Sequence, residues 1–487
     1  MRFSDCEQSA RRTLLLSLIF LVPASQALLP IDDPDIWWRL RVGEWIVEHH
    51  GVPYAEYFSA DDIGKPWIEY SWLFALLAYW VHSYFGLVGV VYFIVLMGYA
   101  IAYVVYRLIR GAGLPFQAEA ALVAMALGPM KSLMTPRPWL LSIFFFALEL
   151  FLIYRARTAE KTQRLWLLPV LFVAWANCHI QFVYGVAVMG LLFGEALLAS
   201  CAKPRGWRLA VPALPLRSLA LVTSACIMAT FVTPYHYLLY VQVFNYIFVD
   251  VGNFQFLTEM HPMFFRSPGD WLVLLMTLFA AFAAGWQHKP SPFSITLLLI
   301  AAFVAFRARR DVWMISLVSL AIIGDTSRSV RLNRSYMFSK GQMLGAALVS
   351  LVVLYFIGQG RNIDEKNLTA VVRDKFPVQA VNYVKNNRLA GPLLNHFDWG
   401  GFLIWSLPEI PVSMDGRTGL YGDRRIERSL KTWNGGVGWE TDRDLLKAKL
   451  VIAEKDRPLT QLLRHQANFQ IVYEDSTAVV FVRVAGI

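Results

Sequence analysis

Charge is scarce in this sequence. Only 16% of its residues are Asp, Glu, Lys or Arg, against 56% that are hydrophobic. That is too little charge to cover a water-soluble surface on a chain of 487 residues. Cysteine is nearly missing. Cys6, Cys178, Cys201 and Cys226 match no zinc-ligand spacing, and the absence of any later cysteine excludes disulfides from the C-terminal part. Neither G-x-G-x-x-G nor a P-loop occurs, so no phosphate-cradling nucleotide motif is present. No basic run interleaves with aromatics, so the net charge of +10 does not point to nucleic acid. It suits topogenic Lys and Arg and contact with anionic lipid instead. There is no internal repeat and no low-complexity segment.

What is present is apolar sequence in long pieces. Runs that suit transmembrane helices lie near 13–30, 86–109, 117–134, 138–155, 164–180, 181–200, 211–233, 270–287, 291–306, 311–326 and 341–359, about eleven in all. Several are short for a full crossing. A further run, 70–85, is interrupted by His82 and fits a helix lying at the membrane surface. The 17 tryptophans suit helix ends that sit among lipid headgroups.

The basic residues give this map a direction. Arg11 and Arg12 precede the first span. Arg107, Arg110, Arg155, Arg157, Lys161, Arg164, Lys203, Arg205, Arg208, Lys289, Arg328, Arg331, Arg334 and Lys340 fall between later spans, always on the same side. The positive-inside rule then predicts a cytoplasmic N-terminus. Arg11-Arg12, the short apolar run and Ser25-Gln26-Ala27 also fit a cleavable signal peptide. Either way, Ile31 onward emerges outside. The expected division is a membrane domain over 1–360, with a first outer loop at 31–69, and a periplasmic or extracellular α/β domain over 361–487. In that tail a helix is predicted over 377–388, and strands over 391–395, 410–414, 449–453, 469–473 and 477–483.

The first outer loop opens with Ile31-Asp32-Asp33-Pro34-Asp35-Ile36-Trp37-Trp38-Arg39-Leu40. Three carboxylates stand at a membrane surface, where desolvating them is costly unless they have a partner or a use. The paired indoles are expected to anchor the segment among the headgroups. Asp33 and Asp35 are the candidate catalytic groups. Capping of a helix that begins near Asp35 is the competing role, and it weighs more for Asp35 than for Asp33. Asp61 and Asp62 are expected to be solvated loop charges. Glu69 is either a second acidic partner or an ordinary surface charge.

One span, an outer loop opening on an acidic cluster, and a surface helix returning to the membrane resemble the GT-C membrane glycosyltransferases. That superfamily includes the protein O-mannosyltransferases, the oligosaccharyltransferase catalytic subunits and the lipid A aminoarabinose transferases. More narrowly, Trp37-Trp38-Arg39-Leu40, Gly43-Glu44-Trp45-Ile46, Val52-Pro53, Phe58-Ser59 and Pro66-Trp67 resemble bacterial GT-C-like membrane proteins. Trp175-Ala176-Asn177-Cys178-His179 and Asp415-Gly416-Arg417…Tyr421-Gly422 are similar to later motifs of that group. Glycines expected after His179 are here Ile180 and Gln181. The resemblance implies transfer of a sugar from a polyprenyl-phosphate-linked donor to a glycan, lipid or protein acceptor. A loop carboxylate, Asp33 before Asp35, then acts as general base, and a divalent metal (Mg or Mn) assists in some relatives.

A lipid phosphate leaving group needs cations. Arg307, Arg309 and Arg310 fall between the ninth and tenth spans, on the outside, where topology does not explain them. Phosphate binding is one reading, and pairing with Asp311 or headgroups is the other. Arg137, in Thr135-Pro136-Arg137-Pro138-Trp139, is a further phosphate candidate or an interface anchor. His179 and Glu259 are candidates for a second acidic or acceptor site. An interhelical hydrogen bond competes for His179, and a solvated loop charge for Glu259. In the tail, Gly400-Gly401 forms no phosphate cradle, and Asp415-Gly416 suits a turn that needs positive φ. Two further classes remain open. One is an O-antigen ligase or polymerase, working through outer arginines and histidines. The other is a transporter or assembly subunit, against which the missing repeat symmetry counts.

Overall fold

The computed structural model describes residues 3–202, 214–249, 257–286, 291–330 and 339–484. Lys203, Arg205, Arg208, Lys289, Arg331 and Arg334 lie outside the described residues, as do the side chains of Cys6, Arg11, Arg12 and Lys340. The chain is mostly helical. Its helices up to residue 360 are α1 (Phe3–Ala27), α2 (Asp35–His49), α3 (Trp72–Ile109), α4 (Phe116–Leu127), α5 (Trp139–Ala159), α6 (Leu168–Cys178), α7 (Phe182–Ala202), α8 (Leu216–Ala229), α9 (Leu238–Phe248), α10 (Pro268–Trp286), α11 (Pro292–Arg307), α12 (Val312–Val330) and α13 (Lys340–Gly360).

Five helices among the described residues are long and apolar enough to cross a membrane: Trp72–Ile109, Trp139–Ala159, Phe182–Cys201, Pro268–Trp286 and Gly341–Gly360. This is a multi-pass membrane protein. The expected eleven spans are not all helices of that length. Apolar run 117–134 stops as an α-helix at Leu127, and Gly128-Pro129 tighten it into a 3-10 turn over Gly128–Leu133. Run 164–180 opens as a 3-10 turn, with Pro169 in the first turn of α6. Runs 70–85 and 86–109 are joined as α3, which breaks at Gly86 (φ 62°, ψ −158°). The break falls at the boundary read from the sequence, because glycine alone takes that backbone angle without strain.

The chain forms two compact units. Unit one comprises Met1–Leu29, Val91–Tyr237 and Leu257–Arg361. Its most buried element is α12, whose residues 312–323 are all at most 8% exposed. It packs on α4, α5, α10 and α11. Trp313 meets Phe146 edge-on at 5.2 Å, and Phe146 in turn meets Trp175.

Unit two comprises Pro30–Val90, Leu238–Phe256 and Asn362–Ile487. The first loop therefore belongs to the same compact body as the C-terminal segment, a cut different from the division at residue 360. The tail holds α14 (Glu365–Lys375), α15 (Val378–Asn386), β1 (Leu393–Asn395), α16 (Phe397–Ser406), α17 (Thr418–Tyr421), α18 (Asp423–Trp433), α19 (Arg443–Lys447), β2 (Leu450–Glu454), α20 (Pro458–Leu463), β3 (Phe469–Glu474) and β4 (Ala478–Arg483). The sheet order is β1-β2-β4-β3, with β1 and β2 parallel and the other pairs antiparallel. Leu394, Val451, Phe481, Trp433 and Leu459 form its core. The predicted strand at 410–414 does not join this sheet. Its centre bridges to the first loop, Val412 opposite Ser59.

Candidate functional site

The acidic opening of the loop is built into the start of α2. The Asp33 carboxylate accepts the Asp35 backbone N–H at 3.0 Å and is 6% exposed. The helix-starting role expected of Asp35 therefore falls on Asp33, a carboxylate at the positive end of the helix. Asp35 is half-buried and rests against Gly416, where a Cβ would collide with Oδ1. Gly416 thus serves close approach, and it is not among the glycines with positive φ. Gly400 and Gly401 do the same work. A Cβ on Gly401 would meet the Pro34 carbonyl at 2.6 Å, and one on Gly400 would collide with the Met414 carbonyl. Gly401 lets α16 pack tightly on α2, and Gly400 lets it pack on the Met414–Asp415 segment.

That packing buries the tryptophan pair. Trp37 is 4% exposed and lies edge-on to Phe402 (5.3 Å) and Phe376 (5.8 Å). Trp38 is 5% exposed and carries the Arg39 guanidinium at 4.1 Å. The expectation that the pair anchors among headgroups is corrected here: both indoles are core residues of unit two.

Beneath Asp35, Arg417 forms a closed ion cluster. Its guanidinium pairs with Glu56 at 2.5 Å and Asp415 at 2.6 Å, and donates to Ser59 at 3.2 Å. It stacks over Trp67 (4.8 Å), Phe58 (5.4 Å) and Trp38 (5.8 Å). Glu56 also accepts the Phe58 and Ser59 N–H groups, both at 2.7 Å. Tyr421 donates to Asp415 at 2.5 Å. Burial alone would raise the Asp415 carboxyl, but Arg417 and the hydrogen bonds it shares with Tyr421 hold it below the ordinary carboxylate range. Burial, and then Asp415, push the Tyr421 phenol well up, so it stays a donor. Trp38, Phe58-Ser59, Trp67 and Asp415-Gly416-Arg417…Tyr421, all from motifs that carried the resemblance, meet here, and the result is structural: a saturated ion cluster in a dry interior.

Glu69 is 1% exposed. It accepts the Ser71 N–H at 2.9 Å and stands 3.6 Å from Arg39, opening α3 rather than lying on the surface. Asp62 is fully buried between Lys65 and Arg425, and Asp61 pairs with Lys447 at 2.9 Å. The expectation of solvated loop charges fails for Asp62, because the basic residues that would leave it in water as a free charge instead come from α18 and its own turn.

The other predicted residues gather at one end of unit one. Glu259 stands between Arg137 (3.3 Å) and Arg310 (3.6 Å) and is only partly exposed. Arg309 lies 3.8 Å from Asp270, and its N–H donates to the His261 carbonyl at 3.0 Å. Arg307 is exposed at the end of α11. Asp311 lies within electrostatic reach of Arg310. It accepts Gln181 at 2.8 Å and Tyr184 at 3.3 Å. Gln181 stands where a glycine was expected, and this bond is what it provides. His179 shares a hydrogen bond with Ser142 at 2.7 Å, and Ser142 also accepts Trp175 at 2.8 Å. Asn177 donates to the Val173 and Val232 carbonyls. Both are interhelical or local bonds. Phe264, Arg266, Ser267, Asp270 and Arg309 line an open cleft of about 370 Å³ beside the cluster.

Sequence reasoning passed over Glu56, Asp270, Ser142 and Tyr184. Glu56 had a signal, a carboxylate just ahead of the Phe58-Ser59 motif. Asp270 had one too, in Ser267-Pro268-Gly269-Asp270, a helix-opening pattern in which Asp270 accepts the Ser267 N–H. Ser142 and Tyr184 are apolar-span residues with no local mark. Among the described residues no three His, Cys, Asp or Glu side chains form a group able to hold a metal ion.

No family model matches the sequence, and no curated relative does. Solved structures do. The Archaeoglobus fulgidus oligosaccharyltransferase in its apo form is 12% identical with a TM-score of 0.50, over 92% of this chain and 69% of that one. The arabinofuranosyltransferase AftD from Mycobacteria is 12% identical with a TM-score of 0.53, over 99% of this chain and 40% of that one. This chain therefore spans well under half of AftD. ArnT from Cupriavidus metallidurans, bound to undecaprenyl phosphate, is 13% identical with a TM-score of 0.46, over 98% of each chain. This chain shares its fold with the oligosaccharyltransferase and with AftD.

Proposed function

We propose that this chain is an inverting membrane glycosyltransferase. It moves a sugar from a polyprenyl-phosphate-linked donor to a hydroxyl or amine on a glycan, lipid or protein acceptor. The reaction takes place on the outer face of a bacterial inner membrane, with the N-terminus cytoplasmic and the C-terminal domain outside. The observation that carries this reading is the convergence of Arg137, Glu259 and Arg310 from three separate segments. Four arginines (137, 307, 309 and 310) stand with three carboxylates (259, 270 and 311) at the same end of unit one, and an open cleft lies alongside. Guanidinium groups that are not fully buried suit phosphate oxygens. The fold shared with solved glycosyltransferases supports the same class.

In this reading Asp33 takes the acceptor proton as the acceptor oxygen or nitrogen attacks the anomeric carbon. The anomeric C–O bond to phosphate breaks, and polyprenyl phosphate leaves with the bonding pair. Arg137 and Arg310 turn from Glu259 to the phosphate and stabilise the charge that develops. Asp35 holds the segment in place through its seat on Gly416. A divalent metal, if one assists, would have to draw on Asp33 or Asp35.

One observation favours a second reading, a ligase that uses outer cations without a loop base. The Asp33 carboxylate already serves the start of α2. Two variants separate these readings in membranes supplied with a panel of polyprenyl-phosphate-linked hexoses and pentoses. Asp33→Asn abolishing transfer, with normal insertion and thermal stability, supports the base. Full activity in Asp33→Asn, with loss in Arg310→Gln, supports the ligase. Full activity in both variants removes the site.

A further inference from the structure

Helix α2 carries three tryptophans, and they do not end in the same place. Trp37 and Trp38 lie in the core of unit two, but Trp45 is only half-buried. Its neighbour Gly43 faces α3, where a Cβ would collide with the Ala75 carbonyl. Residues two apart stand roughly 200° apart around a helix, so Trp45 is turned away from α3. Two rings stack on its indole: His49 at 4.1 Å and 10°, and Tyr57 at 5.0 Å and 23°. The chain brings Tyr57 back because His50 ends α2 in the left-handed region (φ 52°) and Gly51-Val52-Pro53 follow. His49 is exposed and Tyr57 is 45% exposed, so the stack ends in open rings. Apolar surface gathered on one patch and left in water marks a contact site.

Polar acceptors stand beside these rings. His49 Nδ1 donates to the Trp45 carbonyl at 2.9 Å, which leaves Nε2 as an acceptor in the neutral ring. On the adjacent row of α2, Glu44 and Glu48 share Arg41 at 2.6 Å and 3.5 Å. Both use Oε2 for this, and Oε1 of each has no hydrogen bond among the described residues. A phosphate is poorly served here: the guanidinium is held by two carboxylates, and those carboxylates repel an anion. A pyranose ring is well served. Its polarised C–H bonds lie against the negative face of an aromatic ring, and its hydroxyls donate to carboxylate and imidazole.

We propose that the stack of His49, Trp45 and Tyr57, flanked by Glu44 and Glu48, is a binding platform for a neutral saccharide, which makes the acceptor a glycan. The name of acceptor rests on the transferase reading above, whereas the binding of saccharide does not. Rigid rings suit the task, because a stacked side chain loses little conformational freedom when a ligand settles on it.

The test is titration calorimetry of the full-length protein in nanodiscs, free of glycosidic detergent. The probes are cellohexaose, maltohexaose and mannohexaose, with oligomeric sialic acid as the anionic comparison. At least one neutral probe is expected to bind, and the anionic probe is expected not to. Tyr57→Ala, a change at the surface, should weaken binding about tenfold, the scale of one lost stacking contact. Tyr57→Phe keeps the ring and should bind as the native protein does. Trp45→Ala removes the centre of the stack and should abolish binding; if it fails to fold, the Tyr57 pair carries the test. Binding of no neutral probe, equal binding of the anionic probe, or unchanged binding in Tyr57→Ala overturns the proposal. Transfer assayed on the same preparations separates the two readings. Saccharide binding without transfer removes the transferase and leaves the platform, whereas transfer without saccharide binding removes the platform and leaves the transferase.

Discussion

Arg417 and Arg310 are both arginines beside glutamates, and they do opposite work. Arg417 is enclosed. Glu56, Asp415, Ser59 and three aromatic rings take up its donors and both its faces. Arg310 shares one partly exposed carboxylate with Arg137. A buried pair that is fully satisfied cannot exchange partners without stranding a charge in a dry interior. A partly exposed pair has solvent at hand, so it exchanges partners at less cost. The difference teaches that an arginine motif is not a binding site until its saturation is known. Asp415-Gly416-Arg417 is the more specific-looking motif, and it is scaffold.

The comparison can be broken most forcefully from the buried side. Arg417→Ala leaves Glu56 and Asp415 facing each other without a cation, and should cost about 3–5 kcal/mol, read as loss of folded protein in a thermal unfolding assay. A stable Arg417→Ala protein would mean that the cluster is not the scaffold described. From the open side, Arg137→Gln with Arg310→Gln should fold normally and lower kcat/KM for transfer about a hundredfold or more, the scale set by removing charge stabilisation from a transition state. If stability collapses while activity per folded molecule holds, the roles are reversed.

Titration sharpens the contrast further. His396 is 4% exposed, its Nδ1 accepts the Asp398 N–H, and its ring lies edge-on to Trp433. Burial, with help from Arg457, lowers its pKa from 6.5 to about 4. The unfolded chain then binds the proton more readily than the folded one. The stabilisation is complete above pH 6.5 and drains away as pH falls toward 4, about 3 kcal/mol at most. His396→Gln should flatten unfolding temperature across that window, and an unchanged slope would assign the loss elsewhere. The smallest effect concerns Gly416. Gly416→Ala should cost about 1–3 kcal/mol by overpacking against Asp35. Adding Asp35→Ala should recover part of it, because contacting residues do not add independently. Simple additivity would show that the two do not touch.

Much of the outline was legible in the sequence. The apolar runs gave the membrane body, four of the five strands predicted in the tail form its four-stranded sheet, and the boundary between runs 70–85 and 86–109 falls at the break in α3. The fifth strand, 410–414, has the right composition but finds its partner at Ser59, roughly 350 positions earlier, a pairing that no local pattern encodes. The tryptophan pair misled for the same reason. Indoles near a membrane boundary suit an interface as well as a core, and only the glycines of α16 decide it. Of the site, Arg137, Glu259 and Arg310 were each marked by position, yet their union was hidden. Gln181 looked like a departure from pattern, and only its bond to Asp311 shows what it replaces.

Glu259 has one more consequence. In the proposed reaction, a carboxylate resting between two guanidinium groups makes that corner of the protein an ion exchanger, with its own side chain as the resting counter-ion. An arriving anion displaces a tethered one, so the gain on binding is only the difference between two anions. A departing anion is replaced at once by a group that never diffuses away. A site built on exchange holds its cargo lightly in both directions and sheds a charged product without exposing bare cations, which suits turnover better than capture.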